Sequence, residues 1–402
     1  MNLLKEGIEK QLVIKTTMTR KLTIDGITQA YPVYKVRLDC LYYNDQNDRI
    51  ATWISQYKSQ NDGNIPCVDE REEYNKIIEN FIVESNPDAI KKTQKNIELV
   101  DQREAGVVLA DGRIIDGNRR FTCLRRLKET NDRFSHFETV ILDRNIEHSA
   151  KEIKMLELSI QHGEESKVDY NPIDKLVGIY HDIVETGLLT EDEYAKSTNE
   201  SIGDIRRRIE MAKLMVEFLE FANAPKQFYI ARDLQLNSIL EELQKLIKKC
   251  HTQDEAEDLK ICVFNNALMR TEGDRAKFVR DFKNIINSDY QQEFIEEQKQ
   301  LAIKINDCLP TDGTMSADVI REIVRTNSDV VEEMERSCEK VLTKAKKTAA
   351  RNLPIQQLEK ATMFIEDIDV NIVEKMNDSE YVRFERQLKK LEASLQSIKE
   401  LL

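Results

Sequence analysis

Residues 106–127 read GVVLADGRIIDGNRRFTCLRRL and hold three elements in quick succession. Val107, Val108 and Leu109 make a short apolar strand. Ala110-Asp111-Gly112-Arg113 is a tight turn, because Asp-Gly supplies positive φ at little steric cost. Ile114 and Ile115 begin a second strand. Asp116-Gly117-Asn118-Arg119-Arg120 then breaks it and opens a helix whose Phe121, Leu124 and Leu127 recur every third residue on one face. A glycine at a strand-to-helix junction lets backbone N–H groups approach an anion, and the new helix end adds partial positive charge. Arg119 and Arg120 fall in the first turn, where the helix dipole disfavours cations unless an anion offsets them. With Arg113, Arg125, Arg126 and Lys128 they form a basic run. Two readings are open on spacing alone: a phosphate-binding turn, or a hairpin followed by a solvated basic helix face.

That basic run stands out because the 402-residue chain carries a net charge of −13. Such a balance argues against a protein that coats nucleic acid nonspecifically, but not against one local basic face. A third of the residues are charged, and Gly, Pro and aromatics are scarce, which predicts a soluble, largely helical protein of two or three domains. No window approaches the ~20 apolar residues of a membrane span, and the first residues lack a secretory leader's apolar core. Seven scattered cysteines with no C-x-x-C pair predict free thiols in a reducing cytoplasm and no zinc site. The five histidines show no metalloenzyme spacing, and neither a Walker A loop nor G-x-S-x-G occurs.

Upstream of the basic run, Tyr31 to Leu38 alternates as a strand, and a short helix contains Trp53 and Ile54. A loop follows over 58–70, then helices from Glu70 to Val83 and from Asn86-Pro87-Asp88 to Val100. Downstream, Glu138 to Leu142 is a strand. Ser149 to Gln161 is a helix with Ile153, Leu156 and Ile160 on one face. Thr190 to Ile209 fits a helix-turn-helix. Thr190 and Glu193 make a capping box, Ala195 is the small residue at the crossing, and Asn199 takes the left-handed turn. Ser201 caps the second helix, Ile205 packs inward, and Arg206, Arg207 and Arg208 follow. An ordinary helical hairpin with a basic face is the alternative.

From residue 212 onward the expected helices are 212–222, 226–250, 253–270, 274–288, 290–307, 315–350, 355–375 and 379–401. Two apolar seams there follow steps of four and three: Ile320, Val324, Asn327, Val331, Met334, Cys338, Val341, Ala345; and Tyr381, Phe384, Leu388, Leu391, Leu395, Ile398, Leu402. They predict a homodimer, or a partner protein, held through the C-terminal helices; an intramolecular bundle is the alternative.

The order strand, Asp-Gly turn, I-I-D-G-N-R-R and apolar helix resembles the signature of the ParB/sulfiredoxin-like superfamily, whose core is Gly-x-x-Arg. Here that core is Gly117-Asn118-Arg119-Arg120. The family's second box is matched by Ile160-Gln161 and Asn171-Pro172-Ile173-Asp174, while Leu158-Ser159 stands where the family has Glu-Asn and Glu157 comes one place early. The cysteine of sulfiredoxins is replaced by Asn118, so their chemistry is not expected.

The resemblance implies an α+β N-terminal ParB/Srx-like domain (1–148), a helical domain with the helix-turn-helix (149–222), a helical bundle (223–308) and a coiled-coil-like C-terminal region (314–402). It implies a nucleoside triphosphate, CTP or ATP, with or without Mg, on Gly117, Asn118, Arg119, Arg120 and Gln161. It also implies double-stranded DNA on Ser201, Arg206, Arg207 and Arg208, in a cytoplasmic, nucleoid-associated protein without membrane contact. The function expected is nucleotide-responsive DNA binding in a partition, regulatory or mobile-element context. The alternative is an enzyme of the same fold, a nucleotide hydrolase, phosphotransferase or nuclease. It would use Asp116 as base or metal ligand and Glu157 as second carboxylate, and no residue set is assigned to a resident metal.

Overall fold

The computed structural model describes residues 1–24, 27–143, 150–162, 171–270, 273–286, 288–310 and 315–401. It is an α+β protein: an N-terminal five-stranded sheet followed by helices. The long hairpin β1 (Val13–Ile24) and β2 (Ile27–Arg37) comes first, then α1 (Ala51–Gln60), α2 (Arg71–Ser85) and α3 (Pro87–Val100). The expected strand at 31–38 is the second half of β2; its partner β1 carries no clean alternation and went unpredicted. β3 (Gly106–Leu109), β4 (Ile114–Asp116) and α4 (Asn118–Lys128) realise the three pieces of the opening stretch. β5 (His136–Leu142) closes the sheet in the order β1-β2-β5-β3-β4. β5 lies parallel to β3 and antiparallel to β2.

The unbroken Val107-Val108-Leu109 run follows from this order. β3 lies between β5 and β4, and both of its faces are buried, as for an inner strand covered on two sides. Val108, Ile114, Phe137 and Ile141 face Tyr74, Ile78, Ile90 and Phe121 from α2, α3 and α4. Val107, Leu109, Ile115 and Val140 face Ile153, Leu156 and Ile160 of α5 (Ala150–His162). Thus α5, placed beyond 148 in the sequence division, covers the second face of the sheet.

α6 (Pro172–Ile179) starts at the N-P-I-D box, with Asn171 capping the Ile173 N–H, and runs into a wide helical turn of π type over Tyr180–Glu185. α7 (Glu191–Thr198) and α8 (Ile202–Phe221) follow. α8 is one 20-residue helix and absorbs the separate helix expected at 212–222. The expected 226–250 helix is broken into α9 (Phe228–Asp233) and α10 (Asn237–Ile247), with Gln235 between them at φ 51°. Then come α11 (Gln253–Met269), α12 (Arg275–Asp281), α13 (Gln291–Cys308), α14 (Ala317–Thr326), α15 (Ser328–Glu366), α16 (Val370–Val373) and α17 (Asp378–Lys399).

One apolar core runs from Ile173 to Val341, so the sequence divisions at 222 and 308 fall inside a single packed unit. The first C-terminal seam is intramolecular. Ile320, Met334, Cys338 and Val341 are buried in that core, where α15 packs on α13, and the helix breaks at Asn327 instead of continuing a coiled coil. The second seam is different. Beyond Ala345 no described residue is buried, and Tyr381, Leu388, Leu395 and Ile398 lie exposed along α17; Leu402 lies outside the described residues. No helix among the described residues is long and apolar enough to cross a membrane.

Candidate anion-binding site

The end of β4 and the start of α4 form one wall of a cleft of about 270 Å³. Gly117 makes the turn. Its φ of 101° is left-handed, and a Cβ there would stand 2.8 Å from Cζ of Phe137, so a side chain is excluded on both counts. As the residue preceding α4 it also offers no side-chain cap, which leaves the first N–H groups of an eleven-residue helix without one. Asp116, Asn118, Arg119, Arg120 and Gln161 all line this cleft. The rest of the lining comes from residues that carry no binding signal in the sequence: Asn47 and Arg49 before α1, Ser85 at the end of α2, Asn86 between α2 and α3, and Thr93 of α3, together with Glu104.

The two first-turn arginines have different surroundings. Arg120 is held by acids: Nη1 donates to Oε2 of Glu104 at 2.6 Å and Nη2 to Oδ2 of Asp116 at 3.1 Å. Asp116 also accepts two bonds of 3.2 Å from Arg20 of β1, a pairing across 96 positions. Its carboxylate is therefore engaged by two guanidinium groups, and its role here is to hold Arg20 and Arg120 in place. Arg119 has no such carboxylate among the described residues. Partial burial pulls its pKa down, and so do the neighbouring charges of Arg49 and Arg120. The side-chain amide oxygen Oδ1 of Asn118 is buried with no donor among the described residues. A small excess of positive charge (Arg49, Arg119 and Arg120 against Glu104 and Asp116), an uncapped helix end and a small concavity suit a compact anion such as a phosphoryl group.

Glu157 does not line the cleft. It is 1% exposed, accepting from Nε2 of Gln161 at 2.8 Å and from Nδ2 of Asn44 at 3.1 Å. Burial pushes its carboxyl up to about 8, and the acids Asp48 and Asp182 add to the shift while Lys154 opposes it. Buried and turned to Gln161 and Asn44, it is not positioned to act as a base in the cleft. Asp116 and Glu157, the pair assigned to catalysis, are thus not presented together to one cavity. Cys123 is fully buried, with its thiol pushed up to about 12, chiefly by burial. No cluster of three or more metal-ligating side chains occurs among the described residues.

The two helices and the turn between them form where the sequence places them. Thr190 and Glu193 complete both bonds of the capping box, and Asn199 takes φ 54°, ψ 40°. Oγ of Ser201 accepts the Asp204 N–H at 3.1 Å and donates to Oδ2 of Asp204 at 2.7 Å, so this hydroxyl is spent on the cap. Ala195 and Ile205 are buried together with Leu158, Ile179 and Leu189. The second helix is exposed on its outer face but flanked by acids. Arg206 pairs with Glu191 at 2.7 Å, Arg207 lies 3.6 Å from Asp204, and Arg208 makes a two-bond pair with Glu200.

No protein-family model matches this chain, and no curated protein matches it either.

Proposed function

We propose that the chain is a ParB-like nucleotide-responsive DNA-binding protein, with the Gly117–Arg120 turn as the seat of the phosphates of a nucleoside triphosphate, CTP or ATP. The observation that carries this reading is the pairing pattern. Arg120 is neutralised by Asp116 and Glu104, whereas Arg119 faces the cleft beside two other cations with no acidic partner among the described residues. Mg would arrive with the nucleotide. The order of G-N-R-R turn, β5, α5, N-P-I-D box and helix-turn-helix supports the ParB-like assignment.

Binding is favoured over turnover because Asp116 is tied to two arginines and Glu157 is buried outside the cleft. Nucleotide then acts by stabilising one arrangement of the N-terminal layers, a population shift rather than a chemical step. The DNA half rests on α8. Arg206 and Arg207 reach backbone phosphates only by leaving Glu191 and Asp204, so affinity is modest and steeply salt-dependent. The exposed seam of α17 is covered by a second copy, which matches the twofold symmetry of many DNA sites.

Calorimetry with CTP, ATP, GTP, UTP and inorganic triphosphate, each with and without Mg, tests the nucleotide half. One nucleoside triphosphate binding with millimolar affinity or better is expected; no binding by any of them refutes it. For DNA, Arg206→Ala/Arg207→Ala is expected to flatten the log–log salt dependence by about 2 units. An unchanged slope and affinity would remove α8 from the reading.

A further inference from the structure

A second, larger cleft of about 760 Å³ lies between α1, the wide turn Tyr180–Glu185 and residues 225–228. It shares only Asn47 with the cleft at Gly117. Its floor is charged, and its walls mix apolar side chains with Lys58 and with a Glu185 that pairs with Lys226 and His181. Asp48, Lys154 and Asp182 of the floor are 6%, 2% and 2% exposed. The Lys154 ammonium pairs with Asp48, lies 3.3 Å from Oδ2 of Asp182, and donates to the Gln46 carbonyl at 3.0 Å. One buried cation thus serves two carboxylates, with Glu157 beside them.

The surplus of acceptors is visible atom by atom. Among the described residues the side-chain Oε1 of Gln46 is buried and receives no hydrogen bond, and Oδ2 of Asp182 has only the Lys154 ammonium, which it shares with Asp48; both residues line the cleft. A buried acceptor short of donors favours a ligand that brings one. Ile54, Ile65, Val177, Leu188 and Phe228 supply the apolar walls. The opening itself depends on close packing at Gly178, where a Cβ would come within 2.4 Å of the Asp48 carboxyl carbon. That contact seats α6 directly against the floor.

We propose that this cleft is a second small-molecule site, taking a primary amine or guanidine with an apolar body, its cationic head donating to Asp182 and Gln46. The head supplies the second positive charge that the floor lacks, and the walls take the hydrocarbon. A neutral alcohol of the same shape brings a weaker donor and no charge, so it binds more weakly.

The test uses the full chain in calorimetry with benzylamine, and with benzyl alcohol as the uncharged counterpart. Benzylamine is expected to bind at least tenfold more tightly than the alcohol. Gln46→Leu removes one acceptor that has no partner in the protein. It should therefore leave the melting temperature unchanged or raised while weakening benzylamine about tenfold, as loss of one charge-assisted bond requires. Asp182→Asn should weaken it further, although this substitution also disturbs Lys154; Gln46→Leu remains decisive if that variant does not fold. Arg119→Ala should leave benzylamine affinity unchanged, which separates this site from the phosphate cleft. No binding of benzylamine, equal binding of the alcohol, or an undiminished affinity in Gln46→Leu would each overturn the proposal.

Discussion

Arg119→Ala should separate ligand binding from stability. The Arg119 guanidinium stands near Arg49 and Arg120, and partial burial together with these two charges disfavours its own charge. Removing it therefore relieves repulsion, and the urea unfolding midpoint should stay constant or rise, with a change within about 0.5 kcal/mol. The same substitution deletes a charged donor to phosphate. One such bond is worth about 1.5–3 kcal/mol, and each ~1.4 kcal/mol is tenfold in affinity. Triphosphate binding should accordingly weaken by about 10- to 150-fold. Arg120→Ala gives the opposite pattern. It strips Asp116, whose side chain is 9% exposed, of one of its two arginines, and should cost about 1–3 kcal/mol of stability. The assay pairs titration calorimetry against inorganic triphosphate with urea unfolding of wild type and both variants. Wild-type affinity in Arg119→Ala would refute the reasoning, as would a loss of stability in Arg119→Ala equal to that of Arg120→Ala.

Three further outcomes follow from other parts of the molecule. Gly178→Ala should drive Asp48 away from Lys154, because the new Cβ would meet all three carboxyl atoms at 2.4–2.6 Å. Breaking this buried pair should cost about 3–5 kcal/mol in urea unfolding, and a cost under about 1 kcal/mol would show that the contact yields easily. Asp174, which accepts the Thr52 N–H at 3.1 Å, has its carboxyl pushed up to about 7, chiefly by burial. The folded state therefore keeps a proton between about pH 4 and 7 that the unfolded chain has released, and stability present at low pH is lost as pH rises, by about 1.4 kcal/mol per pH unit. Asp174→Asn should flatten this dependence, and parallel curves for the two proteins would contradict it. Deleting residues 349–402 removes no buried side chain. It should leave the unfolding midpoint of the body unchanged and convert a dimer to a monomer in sedimentation; a dimer that survives the deletion would place the interface elsewhere.

Local chemistry was legible in the sequence wherever the signal and its cause lie within a few residues. The Asp-Gly hairpin, the Gly117 turn, the Asn86 start of α3 and the Thr190 capping box were all readable, because caps and turns bind their own neighbouring backbone. The residues lining the anion cleft were half readable: the α4 side could be named, whereas Asn47, Arg49 and Thr93 arrive from elements that only folding brings near. Periodicity gave two equivalent C-terminal seams and could not tell them apart. Met334, Cys338 and Val341 found their partners in the same chain, whereas Tyr381 to Ile398 did not.

Charge was the least readable quantity. Three arginines on α8 read as a basic face until Glu191, Asp204 and Glu200 were found beside them. Asp116 read as a candidate base until Arg20 reached it from 96 positions away. Sequence alone determined the Asp-Gly hairpin, the capped helix starts at Asn86 and Thr190 and the glycine that shapes the α4 turn, since these follow from backbone sterics and local hydrogen bonds. Tertiary structure decided which cations keep a free charge, because that depends on Coulomb contacts and desolvation among residues the chain order does not place together.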